Sequence, residues 1–265
     1  MLHFHMKRNT IRTLVLALAL ITSANVLLRF LRKLVCDDCL EILILSKILL
    51  AAISMVFILR YGFNNVLRNG IRVFSIWTLV ALALLIMAFL KMEQILAPQD
   101  ISAIMNLKFL VYTLSTGFFE EIFFRVFVFY FIFRSMKNSE NVIWKSTLWA
   151  SFCFGLAHVT NLLDGFDTIS LIIQIGFAMI VGIILQGVYL RTMSIILIGT
   201  LHGLINYFGT YRIYLFKLVL EETDEIEWDR LITTLIILGV LSLIFIIPIR
   251  RYLKSSARIP EIYLK

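Results

Sequence analysis

Proline and cysteine are scarce in this chain, with 3 of each, and glycine reaches only 12. Charged residues make up 16%. Each shortage excludes a class. Three cysteines in a chain of this length are no disulfide framework. So little proline and glycine rules out collagen-like and Pro-rich low-complexity sequence. Low charge beside an apolar fraction of 60% and a mean hydropathy of +0.93 rules out intrinsic disorder. The ten-residue alternation of an outer-membrane barrel is absent as well. The net charge of +8 comes without a nucleic-acid motif or a basic patch interleaved with aromatics, so no nucleic-acid partner is expected.

What is present is apolar sequence in long runs. A run of roughly 20 apolar residues crosses a bilayer as a helix, and lipid leaves the backbone of an open sheet unsatisfied. Eight runs qualify, at about 11–30, 41–59, 73–90, 109–133, 146–163, 168–190, 192–208 and 231–249. The second is interrupted by Lys47. The expectation is an all-α, polytopic membrane bundle of about eight helices, forming one domain over 1–265. Lys and Arg set its orientation: with the N-terminus inside, 15 fall on the inner side and 8 on the outer. The segment 221–229 is acidic, carrying Glu221, Glu222, Asp224, Glu225, Glu227 and Asp229. Both termini are therefore expected in the cytoplasm of a multi-pass cell-membrane protein. Thr22-Ser23-Ala24 is a poor signal-peptidase site, so the first helix is expected to be retained.

Three runs carry polar groups where lipid makes them costly. The fourth contains Glu120, Glu121 and Arg125, the fifth His158, and the seventh His202 and Asn206. An intramembrane charge costs about 2.5–3.5 kcal/mol on insertion scales, so such groups must face a protein interior and find partners. Glu121 and Arg125 are i,i+4 neighbours and can pair on one helix face. Glu120 lies about 100° round the helix, pointing elsewhere and available for chemistry. At 1.5 Å per residue, Glu120, His158 and His202 fall at compatible depths and could converge on one cavity.

A carboxylate in such a cavity can take a proton from water and return it to a leaving amine. A neutral imidazole can orient that water. A second imidazole, with an amide NH2, can donate to a developing oxyanion. Glu120, His158, His202 and Asn206 thus suffice for peptide hydrolysis without a covalent intermediate.

In order along the chain stand Glu120-Glu121-xxx-Arg125, Phe154-xxx-His158 and His202-xxx-Asn206. This set resembles the three motifs of the CAAX prenyl-protease and bacteriocin-processing (CPBP, or Abi) family of intramembrane proteases, over about residues 109–208. The resemblance implies that Glu120 is the base, His158 its water-positioning partner, and His202 with Asn206 the oxyanion site. It also implies that Glu121 and Arg125 brace them. The substrate would be a peptide or a lipidated or membrane protein. A prenylated tail, a bacteriocin leader and a signalling-peptide precursor stay open, as does the oligomeric state.

Other readings compete with this one. The charged residues could be a structural ion cluster, and Asn206 a helix-bridging amide. A zinc held by two histidines and a glutamate is the alternative to a cofactor-free site, but HExxH is absent. A non-proteolytic immunity or partner-binding protein is the second function, and a proton-coupled carrier the third. Cys36 and Cys39 have redox spacing without a thioredoxin-like context. Cys153 reads as a small core residue, and the Phe-rich stretch from Phe118 to Phe133 as lipid-facing and packing surface.

Overall fold

The structure, a computed structural model, describes residues 8–35, 40–60, 103–164 and 168–215, with the isolated positions 247, 250 and 251. Helices and the turns joining them account for the described residues, and no strand occurs among these. Helix α1 spans Arg8–Val35 and α2 Leu40–Arg60. Helix α3, Ala103–Glu121, runs without a break through a π-helical segment, Ile122–Val128, into α4, Phe129–Ser135. Helix α5, Val142–Ala157, tightens into a 3-10 turn, His158–Asp164. Helices α6, Thr168–Thr192, and α7, Ile195–Leu215, complete the set.

Six of the eight expected runs fall on these helices. The runs at 73–90 and 231–249 lie outside the described residues, apart from position 247, as do Cys36 and Cys39. By length and apolarity alone, two described helices could cross a membrane, Leu40–Leu59 and Leu171–Thr192. Shorter apolar stretches lie in α1 and α7, at Leu18–Leu28 and Ile195–Thr210. A bundle of eight spans is thus an expectation that the described helices meet only in part.

Helix α3 packs most extensively on α7, while α5 packs on α6 and α2 on α3. The α3–α7 contact is close because it is made of glycine. A Cβ on Gly117 would stand 2.4 Å from the Gly203 nitrogen and 2.8 Å from the Gly199 carbonyl oxygen. Small residues let two backbones approach in this way. Between α6 and α7 only Met193 and Ser194 intervene. Met193 adopts a left-handed φ of 54°, and the Ser194 hydroxyl accepts from the Leu197 N–H, capping α7. That sharp link sends α7 back with His202 beside the end of α3.

The core is aromatic. Phe123, Phe124, Phe127, Phe129, Phe131 and Phe133 are all buried, with Phe123 stacked on Phe127 at 5.5 Å. They are packing residues, so the expectation of a partly lipid-facing Phe surface does not hold for them. The exposed face of α2 is aliphatic, with Leu45, Ile48, Leu49 and Val56 turned outward, as a bilayer requires. Cys153 is a free thiol, half-buried.

Candidate active site

The site starts from the last two residues of α3. Glu121 and Arg125 are 0% exposed and form a two-point ion pair: Arg125 Nε donates to Glu121 Oε2 at 2.9 Å and Nη2 to Oε1 at 3.3 Å. This is the pairing their spacing suggests. Arg125 sits within the π-helical segment, and π-turns inside helices occur often at functional sites. Its guanidinium also lies over the Phe154 ring, 4.5 Å from the centroid.

Phe154 supports the neighbouring groups. Its ring meets His158 edge-on at 5.0 Å, His202 at 5.5 Å and Phe124 at 5.2 Å. Each such contact adds about 0.5–1.5 kcal/mol beyond its buried area. One aromatic ring thereby sets the positions of both histidines and the arginine.

His202 reaches both carboxylates of α3. Its Nδ1 lies 2.7 Å from Glu121 Oε1 and its Nε2 3.4 Å from Glu120 Oε2. The two carboxylates, adjacent in sequence, are joined through one imidazole from α7. Carboxylates only accept, so the ring can donate on both sides only when doubly protonated.

The Glu121 contact is a good hydrogen bond. The Glu120 contact is longer than one, leaving its N–H able to turn to another acceptor. Asn206 stands one helical turn beyond His202 and is half-buried. Its backbone carbonyl accepts from Thr210 Oγ1 at 2.7 Å.

Glu120 has different surroundings. Its side chain is 18% exposed and lines an open pocket. His158 lines the same pocket, at the point where α5 tightens into the 3-10 turn. Its Nδ1 lies 3.0 Å from the Phe154 carbonyl. A carbonyl can only accept, so Nδ1 carries the proton, and in the neutral ring Nε2 is left as a base. Neither His202 nor Asn206 is among the residues that line this pocket.

Four lining residues come from outside the motif region: Ile21, Thr22 and Asn25 of α1, and Lys47 of α2. Sequence reasoning marked Lys47 only as an interruption of its span. Thr160 and Asn161 also line the pocket, and Asn161 donates to Gln174 Oε1 at 2.9 Å. Their place on the turn just after His158 was the available signal. The neighbours α3 and α7 had a signal too, the small-xxx-small pair Gly199 and Gly203. Among the described residues, no group of three or more His, Cys, Asp or Glu side chains is placed to hold a metal ion.

Comparison with known proteins adds one finding. Residues 102–208 match the profile of the Rce1-like family, described as type II CAAX prenyl endopeptidase Rce1-like. No curated protein and no solved structure matches the chain. The matched segment runs from the start of α3 to within α7 and contains all three motifs. The family is one of membrane-embedded CAAX-type proteases, and the apolar helices agree with a membrane location. The motif-bearing core, residues 102–208, is thus similar to the Rce1-like family of type II CAAX prenyl endopeptidases.

Proposed function

We propose that the protein is an intramembrane endopeptidase that hydrolyses a peptide bond with water activated by Glu120. The observation that carries this reading is the shared pocket. Glu120, partly exposed, lines it together with a histidine whose Nδ1 proton is committed to the Phe154 carbonyl, while Glu121 is held in a buried ion pair outside the lining.

In the reaction, Glu120 takes a proton from a water that His158 Nε2 helps orient. The water oxygen attacks the scissile carbonyl carbon, whose oxygen becomes an oxyanion. The His202 Nε2–H, 3.4 Å from Glu120, turns to that oxygen, with Asn206 as the second donor. Glu120 returns the proton to the leaving amine and the C–N bond breaks. Glu121 and Arg125 hold His202 and the end of α3 in place. The substrate is a peptide or a lipidated or membrane-associated protein. The same reading takes the chain as one multi-pass membrane domain of about eight spans, with both termini in the cytoplasm.

Cleavage of a peptide library by purified protein tests this. Glu120→Gln and His158→Ala should each lower the rate, by about 10²–10⁴-fold for the loss of acid/base catalysis. Unchanged cleavage in both would overturn the assignment. The mechanism uses no metal, so activity should survive dialysis against a chelator. Stoichiometric zinc whose removal abolishes cleavage would replace the glutamate-and-water scheme.

A further inference from the structure

We propose that Lys47 is a positioning residue: its ammonium is the charge partner of the Glu120 carboxylate in the pocket they share. The pairing keeps Glu120 deprotonated and ready to take a proton from water. Its part in hydrolysis rests on the proteolytic reading above, whereas the pairing itself does not.

Lys47 is the eighth residue of α2, inside an apolar helix long enough to cross a bilayer, and it is buried. A charge so placed is costly unless it meets its opposite. Helix α2 runs alongside α3 and its π-helical continuation in the same direction. Glu41 meets Lys108 near the start of each, and the Phe57 and Phe127 rings pack 6.0 Å apart further on. That register sets Lys47 about 7 Å short of Glu120 along the helix axis, at 1.5 Å per residue. The flexible four-carbon stem covers most of this. Nζ lies 5.4 Å from the ring centroid of Phe119, the residue before Glu120.

Nζ donates to Asn25 Oδ1 at 3.0 Å, and Asn25 lines the same pocket. A neutral amide holds the ammonium in place without cancelling its charge. Among the described residues that line the pocket, Glu120 supplies the one carboxylate and Lys47 the one ammonium. The walls between them include Ile21, Phe119, Phe123 and Phe124, so the two charges attract more strongly than they would in water.

The other ionisable groups near Glu120 are placed differently. His202 of α7 stands 3.4 Å from it but is hydrogen-bonded through Nδ1 to Glu121, and Arg125 is committed to Glu121 as well. His158 shares the pocket and directs its Nδ1 proton to the Phe154 carbonyl. An adjacent cation favours the ionised form of a carboxylate. Lys47 thus suits Glu120 to both halves of its task. It favours the free carboxylate before water is attacked, and it favours release of the acquired proton to the leaving amine.

The first test is the pH dependence of kcat/KM for the cleaved peptide in Lys47→Met, Lys47→Gln and Lys47→Arg, each in full-length protein. Both neutral variants should move the acid limb up by about one pH unit, so that activity lost at low pH returns as pH rises. Lys47→Arg should keep the wild-type limb. Melting curves accompany the assay; if Lys47→Met does not fold, Lys47→Gln, which keeps a polar end for Asn25, carries the test.

The second test needs no turnover. The infrared difference between the protein and its Glu120→Gln variant isolates the Glu120 carboxyl, because the glutamine oxygen still accepts from the ammonium and the variant stays folded. The pH midpoint of that signal should rise by about one unit in a Lys47→Met background and hold in Lys47→Arg. An unmoved midpoint, a midpoint moved equally in Lys47→Arg, or a pH-independent fall in activity common to all three variants would overturn the pairing. A midpoint that moves as expected in a protein that cleaves nothing would remove only the proteolytic reading.

Discussion

Glu120 and Glu121 are adjacent in sequence, and the regions they enter differ in nearly every physical respect. The Glu121 side is closed. Arg125 pairs with it at two points, His202 adds a third, and the Phe154 ring lies against both Arg125 and His202. The Glu120 side is open to a pocket shared with His158, Lys47 and Asn25. One residue step along one helix thus separates a buried, ion-paired side from a side open to a pocket. The closed region is expected to answer to stability measurements, and the open one to activity and binding.

The largest stability effect should follow from breaking the closed side. Arg125→Ala strands Glu121 and removes the cation over Phe154. Breaking a buried pair from one side costs about 3–5 kcal/mol, a large share of an ordinary stability of about 5–15 kcal/mol. Melting in detergent should show this loss, and a neutral Arg125→Ala would dissolve the distinction between the two sides.

A smaller effect is expected from separating the helices that bring the two sides together. Gly203→Ala drives a Cβ to 2.7 Å from the Leu114 Cα, and backbone cannot yield as a flexible side chain would. Overpacking of this kind costs about 1–3 kcal/mol. It should lower activity along with stability, because His202 precedes Gly203 directly. Wild-type melting and cleavage in Gly203→Ala would show that the close α3–α7 approach is not what positions His202.

The smallest stability change belongs to the open side. Asn161→Ala removes a half-buried hydrogen bond to Gln174, worth about 0.5–1.5 kcal/mol. Its consequence should be a raised KM rather than a lost fold. A melting loss as large as that of Arg125→Ala would move Asn161 from the pocket to the brace.

Much of this contrast was legible in the sequence, and the limits of what could be read are physical. The i,i+4 rule identifies the Glu121–Arg125 pair because both partners ride on one helix. It says nothing of His202, which reaches both carboxylates from a helix 81 residues away along the chain. The motif spacing marked Glu120 and His158, but their pocket also needs Asn25 and Lys47, which belong to no motif.

Hydropathy located the helices, yet it reads a long apolar stretch the same way whether it faces lipid or protein. The phenylalanines of Ile122–Val128 were for that reason only half placed by sequence, and the π-helical turn they occupy leaves no hydropathy signature. The depth estimate, which needs only the rise per residue, made the depths of Glu120 and His202 compatible, and their side chains lie 3.4 Å apart.

The central claim is that Glu120 carries out the chemistry and Glu121 holds the structure. The most direct test is one paired measurement on Glu120→Gln and Glu121→Gln: initial cleavage rate and melting temperature of each, in the same detergent. The account predicts that Glu120→Gln melts like wild type and has lost cleavage, while Glu121→Gln melts markedly lower. A destabilised Glu120→Gln beside a Glu121→Gln that melts normally and no longer cleaves would contradict it, and would exchange the roles of the two carboxylates.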